Sequence, residues 1–216
     1  TTLKHNEAGF PEKDLKGGDV LPSQAGLHTQ QVTFDIAACY PTCMTRNPSR
    51  HLSGAVLRQV AKCIQSRDRF RSSAQLYRSA GDTRAASTAS ATERSYKLLS
   101  SLYYGIIGYR QGQMFCPAAA AHTTSTARGW LKSMIGVARA TGYEIVGGVT
   151  DSIHIKPAQK AGVTPLPALM EAFRQQLPLC RVKLEAQGCI MFVPPKDDGS
   201  GCKNSYCRFD PVSQKM

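Results

Sequence analysis

Apolar and polar positions change their period several times along the chain, and each change marks an element. Gln31-Val32-Thr33-Phe34-Asp35-Ile36 has the β-branched and aromatic content of a strand, and it ends beside an acid. The first 30 residues, rich in Gly, Pro, Lys and Glu, read as loop, and Gly17-Gly18-Asp19-Val20-Leu21-Pro22 reads as a turn leading into extended chain. Pro41 is expected to break the backbone pattern after the strand. From Ser53 to about Arg71 the period becomes helical, through Val56, Val60 and Ile64 with Leu57 and Phe70 beside them, and Ser53 is the N-cap. A second helix is predicted over about Thr92–Ile107, with Leu98, Leu99, Leu102 and Ile106 as its apolar side. Residues 79–92 between them are small and polar and read as a flexible tip, so the segment is a helical hairpin.

Beyond the hairpin, a third helix is predicted from His122 to Ala140, closed by Gly142. Glu144–Val149 and Ser152–Ile155 read as two strands around a tight turn at Thr150-Asp151. A helix at 164–177 and strands near 181–193 complete the pattern. Strands and helices mix without regular βαβ alternation, which predicts an α+β fold. No internal repeat is visible.

Composition narrows the class. Of 216 residues, 42% are hydrophobic and 19% charged, which excludes a disordered tail or a fibre. The longest apolar run is Cys189–Val193, far short of the ~20 residues of a membrane span, so no membrane association is expected. The amino end has no apolar core and no initiator Met; it is not a signal peptide, and the chain reads as a piece of something longer.

Charge then changes the picture. The formal net charge is +12, and between Arg46 and Arg110 twelve basic residues face three acidic ones, Asp68, Asp82 and Glu93. Such concentration favours a phosphate-binding surface, for nucleic acid or nucleoside triphosphate, over a merely solubilising one. The eight cysteines include no Cys-x-x-Cys pair, and the five histidines have no paired ligand spacing, which argues against a structural zinc site. Reduced thiols in a nuclear or cytoplasmic compartment are the expectation.

Few acids lie in apolar strand contexts, and two stand out. Asp35 ends the first strand, and Asp151 sits in the turn of Gly-Gly-Val-Thr-Asp-Ser-Ile-His-Ile. Two carboxylates from separate hairpins can converge on divalent metals, holding two Mg²⁺ ions about 3.5–4 Å apart for in-line phosphoryl displacement. Spacing alone slightly favours two ordinary turn acids, one of them a helix cap.

Three segments, in order, resemble the polymerase motifs of family B DNA polymerases. Asp35-Ile-Ala-Ala-Cys-Tyr40-Pro41-Thr42 is similar to Asp-x-x-Ser-Leu-Tyr-Pro-Ser. Lys97-Leu-Leu-Ser-Ser101-Leu-Tyr-Tyr104-Gly105 resembles Lys-x-x-x-Asn-Ser-x-Tyr-Gly, and Gly148-Val149-Thr150-Asp151-Ser152 resembles Gly-Asp-Thr-Asp-Ser. Smaller pieces agree: Gly17-Gly18-x-Val20 with Gly26, Cys116-Pro117-Ala118-Ala119 through Thr126-Ala-Arg128, and Lys203-Asn-Ser-Tyr206 as a loose Lys-x-Tyr element. The likeness covers about residues 15 to 210. Departures are Val149 for the first Asp of the third motif, Gly147 for its usual Tyr, Ser101-Leu102 for Asn-Ser and Ala38-Cys39 for Ser-Leu.

The resemblance implies template-directed nucleotidyl transfer from dNTP to a primer 3′-OH. It makes Asp35 and Asp151 the catalytic metal ligands, with the Ile36 carbonyl as a further ligand and two Mg²⁺ ions (or Mn²⁺) as cofactor. Cys39 and Tyr40 amides would bind phosphate oxygens, and the Tyr40 ring would act as a gate against a ribose 2′-hydroxyl. Lys97, Ser101 and Tyr104 fall at i, i+4, i+7 and share one helical face for the nucleotide, with Arg67 on the opposing helix. Without the resemblance, Arg67 and Lys97 read as a solvated helix face. Thr150, Lys203 and Tyr206 would touch primer–template DNA.

In these terms residues 1–45 and 111–216 would be palm and 46–110 fingers, with exonuclease and thumb absent and supplied, if at all, by other chains. The rival expectation is a catalytically degenerate, polymerase-shaped DNA-binding or scaffold subunit, favoured by Val149 and the short length. A third expectation is a template-independent or RNA-making nucleotidyl transferase on the same palm, with Tyr40 opposing RNA synthesis.

Overall fold

The computed structural model describes residues 16–158, 162–203 and 205–211. The loop reading for residues 1–15 and the Asn of the Lys203-Asn-Ser-Tyr206 segment lie outside the described residues. The elements, in order, are β1 (Gly26–Ile36), α1 (Cys39–Arg46), α2 (Gly54–Ser79), α3 (Thr83–Gly108), α4 (Pro117–Ala140), β2 (Tyr143–Val149), β3 (Ser152–Pro157), α5 (Leu166–Gln176), β4 (Val182–Val193) and β5 (Cys207–Phe209). Two compact units form: one from Tyr40 to Thr124, the other from Gly17–Cys39 and the described residues from Ser125 onward.

The second unit is built on a five-stranded sheet of order β2-β3-β1-β4-β5, antiparallel throughout. With its helices it makes an α+β fold, as predicted. Alternation along β1 sends Val32, Phe34 and Ile36 to one face and Gln31, Thr33 and Asp35 to the other. Phe34 is fully buried and meets Phe173 of α5 edge-to-face, ring centroids 5.0 Å apart. In α4, Ala127, Leu131, Met134 and Ala138 are buried at helical spacing along one stripe.

β1 begins at Gly26, five residues earlier than the composition suggests. The register against β4 shifts between His28 and Gln31, and Gln30 adopts a positive φ of 55°, so an irregularity hides the period-two pattern there. In place of strands near 181–193 there is one long strand, Val182–Val193, with β5 paired to its end. Pro41 does not break the chain. It lies in the first turn of α1, where a missing N–H costs nothing. Likewise α4 opens on Pro117, ahead of the predicted His122. β2 and β3 occupy their predicted places around Thr150-Asp151.

Two close approaches fix the glycines of β2. A Cβ at Gly148 would lie 2.5 Å from the Ser152 carbonyl oxygen, and one at Gly147 would lie 2.9 Å from Ser23 Oγ. The strand is bonded there to the incoming chain, Leu21 N–H to the Gly148 carbonyl and Gln24 N–H to the Val146 carbonyl. At Gly147 the neighbour is the small Ser23 side chain, whereas at Gly148 it is backbone, so Gly148 is the more tightly constrained of the two.

The first unit contains the helical hairpin. Ser53 caps α2, its hydroxyl accepting the Val56 N–H at 3.3 Å. α2 runs on to Ser79 and α3 starts at Thr83, so the predicted tip of 79–92 shrinks to three residues. Asp82 caps the new start by accepting the Ala85 N–H at 2.9 Å. The small residues that read as flexible are packing residues. Ala74 of α2 and Ala86 and Ala89 of α3 are buried in the hairpin, and small side chains let the two backbones approach.

The apolar side assigned to the second helix is also corrected. Leu98 is 72% exposed, Leu102 54% and Leu99 46%, while Ser100 and Ile107 are buried. Ile107 joins Met44, Val60, Ala119 and Ala120 in a core cluster, with Tyr103 and Tyr104 packed against it. The period is helical as read, but aromatic rings and small residues, rather than the leucines, face inward.

Candidate active site

Asp35 and Asp151 both belong to the sheet unit. β1 lies between β3 and β4, so Asp35 pairs with Ser152 on one side and Lys183 on the other. Asp151 occupies the β2–β3 turn, entered through Thr150 at a positive φ of 50°, and the Thr150 N–H is held by the Asp19 carbonyl at 2.7 Å. The Ile36 N–H donates to the Asp151 carbonyl at 2.7 Å, which ties the turn to the end of the Asp35 strand. Ile36 itself is fully buried.

The electrostatics follow from this placement. Asp151 is pushed up from 3.8 to about 6, by burial first and then by the negative charge of Asp35. Lys183 opposes the shift and Glu185 adds to it. The Lys183 ammonium lies 2.7 Å from Asp35 Oδ2. A partly buried acid that holds its proton more tightly, through burial and then a neighbouring negative charge, marks a site short of positive charge.

Among the described residues, no three His, Cys, Asp or Glu side chains gather as a metal cage. That donor set still suits Mg²⁺, which keeps several waters and binds through one or two carboxylates plus substrate phosphates. The partly buried Asp35–Asp151 pair, with its charge deficit, fits such an ion.

The remaining candidates divide between the units. In the helical unit the rings of Tyr40 and Tyr104 meet at 4.3 Å between centroids, inclined at 38°. Cys39, the last residue of the sheet unit's first stretch, and Tyr40 open α1. Lys97 and Ser101 are exposed on α3, and the Ser101 hydroxyl donates back to the Lys97 carbonyl at 3.1 Å. Arg67 points across the hairpin, its Nε donating to Glu93 Oε1 at 2.8 Å, and Arg71 reaches the same oxygen at 3.0 Å. Burial pushes the Glu93 carboxyl up, but hydrogen bonds and charge from the two arginines outweigh it and hold the group below its ordinary range.

In the sheet unit, Lys203 and Tyr206 lie between β4 and β5. The Tyr206 ring meets buried His154 edge-on, centroids 4.9 Å apart. Burial, helped by Arg208, pulls His154 down to about 4 and keeps it neutral.

Sequence reading did not find Lys183, Glu185 or Glu93. Lys183 and Glu185 reach the acids only through the β1–β4 register, for which the chain has no local signal. Glu93 had a weak one, as the only acid on the basic hairpin besides Asp68 and Asp82.

Among the described residues, no helix is long and apolar enough to cross a membrane. Comparison with protein-family models finds no match. Over 85% of its length the chain is 22% identical to a DNA polymerase of Archaeoglobus fulgidus, of which it covers 26%. In structure it is similar to the family B DNA polymerase of the hyperthermophilic archaeon Pyrobaculum calidifontis, with a TM-score of 0.67 and 18% identity over 91% of this chain and 28% of that one. The chain thus spans about a quarter of the length of each. The resemblance to family B DNA polymerases carried by the three motifs is met again in overall sequence and in fold.

Proposed function

We propose that this chain is the palm and fingers portion of a family B DNA polymerase, transferring a nucleotide from dNTP to a primer 3′-OH under template direction. The observation that carries the reading is the joining of Asp35 and Asp151, through the Ile36 N–H bond, into one carboxylate pair in which Asp151 has raised proton affinity. The sheet unit would be the palm and the hairpin the fingers, with boundaries near residues 45 and 110.

Asp35 and Asp151, with the Ile36 carbonyl, would hold Mg²⁺, which when bound acidifies the primer hydroxyl and neutralises the triphosphate. The chain's own residues position the reactants. Lys97 and Ser101, exposed on one stripe of α3, would bind triphosphate oxygens, together with Arg67 and the Cys39 and Tyr40 amides. Glu93 accepts from Nε of Arg67 at 2.8 Å and so holds its guanidinium across the hairpin. Tyr40, braced on Tyr104, would exclude a ribose 2′-hydroxyl. Thr150, Lys203 and Tyr206 would contact primer–template DNA, and the basic hairpin would add sequence-independent, salt-sensitive affinity.

A second reading, a degenerate DNA-binding or scaffold subunit, is favoured by Val149 in the third motif. Single-turnover primer extension with excess chain and Mg²⁺ or Mn²⁺ separates the two. Incorporation by the parent that disappears in Asp35→Ala and in Asp151→Ala supports the polymerase. Equal incorporation by both variants overturns the metal assignment, and primer–template binding without any extension selects the second reading.

A further inference from the structure

Lys183 belongs to none of the motifs, yet its ammonium lies 2.7 Å from Asp35 Oδ2. The β1–β4 register sets it directly opposite Asp35, so the contact is built into strand pairing. The same charge reaches Asp151, where it opposes the effects of burial and of Asp35. One ammonium therefore serves both acids. Its side chain is 43% exposed, and a four-carbon stem can carry the charge to solvent without disturbing the strand.

We propose that Lys183 is a built-in counter-cation of the carboxylate pair, seated there when no divalent ion is bound and displaced from Asp35 when one binds. The proposal rests on the reading of Asp35 and Asp151 as metal ligands. Its physical basis is exclusion: an ammonium at hydrogen-bond distance from a carboxylate oxygen and a divalent ion on that oxygen repel each other strongly. Lys183 would thus weaken metal binding while keeping the two like charges together in the metal-free protein. Removing it leaves the pair with an uncompensated negative charge, which a metal then relieves more fully.

The experiment is Mn²⁺ titration of the whole chain, following free Mn²⁺ by electron paramagnetic resonance, with thermal melts of the same samples. Lys183→Met and Lys183→Gln should bind Mn²⁺ about tenfold more tightly than the parent, a modest factor because the lysine is partly solvated. Both should melt lower than the parent without metal and gain more on adding it. Unchanged or weaker binding by the folded variants overturns the role of Lys183 while leaving the metal site standing. Absence of Mn²⁺ binding in parent and variants alike overturns the metal reading and this proposal with it. Should one variant fail to fold, the other decides.

Discussion

The Ile36 N–H donates to the carbonyl of Asp151 at 2.7 Å, joining the end of the first strand to a turn far along the chain. Together with the β1–β3 register, which pairs Asp35 with Ser152, this bond holds the two acids at one end of the sheet. It places one carboxylate beside another in partly buried surroundings, where Asp151 ionises only against burial and a like charge, and its proton affinity rises accordingly.

That rise predicts a pH dependence with a definite sign. Between about pH 4 and pH 6 the folded protein holds a proton on Asp151 that the unfolded chain has released. The stability contributed here is full at the acid end and declines as pH increases to about 6. Urea unfolding at about pH 4 and about pH 7 should show Asp151→Asn gaining on the parent at the higher pH. Identical slopes for the two proteins would remove the assigned shift. Divalent metal favours the ionised pair, so Mn²⁺ affinity should weaken as pH falls below about 6.

Glu93 is the clasp of the helical hairpin, taking Arg67 and Arg71 on one oxygen. Glu93→Ala should cost about 1–3 kcal/mol, because two partly buried guanidinium groups then face each other without their acceptor. The parent's contribution is present at neutral pH and is lost as pH drops through the lowered Glu93 value, so the variant and the parent should converge in acid. Denaturant melts across pH check this, and an unchanged midpoint at neutral pH would contradict it.

Gly148 touches backbone on the turn that carries Asp151. Gly148→Ala adds a carbon 2.5 Å from the Ser152 carbonyl oxygen, a contact the backbone must move to relieve. The expected loss is about 3 kcal/mol or more, with weakened Mn²⁺ binding, since the displaced segment includes the acid. A variant as stable as the parent would show that the turn has slack.

Tyr40 is braced by Tyr104 at 4.3 Å. Tyr40→Ala should raise ribonucleotide over deoxyribonucleotide incorporation by at least about tenfold, since the ring would no longer fill the space of a 2′-hydroxyl. Tyr104→Ala should give a smaller change in the same direction by loosening the brace. An unaltered ratio in Tyr40→Ala would end the gate assignment.

Helical period at 53–71 and 92–107, the strand ending at Asp35, the turn at Thr150-Asp151 and the order of the three motifs are all legible in the amino-acid sequence. Each depends on residues within a few positions of one another, where periodicity and turn chemistry act directly. Which way α3 faces is not legible there. Leucine and tyrosine both recur at helical spacing, and only the partner surface, with Met44, Val60 and the small residues of the hairpin, decides that tyrosines go in and Leu98 stays out. Nor does the sequence match Lys183 to Asp35, because a strand's period of two assigns its residues to faces and is silent about which residue lies opposite. Local chemistry is written along the chain; the neighbours that tune it are chosen by long-range pairing, whose free energy is gained only when the sheet closes.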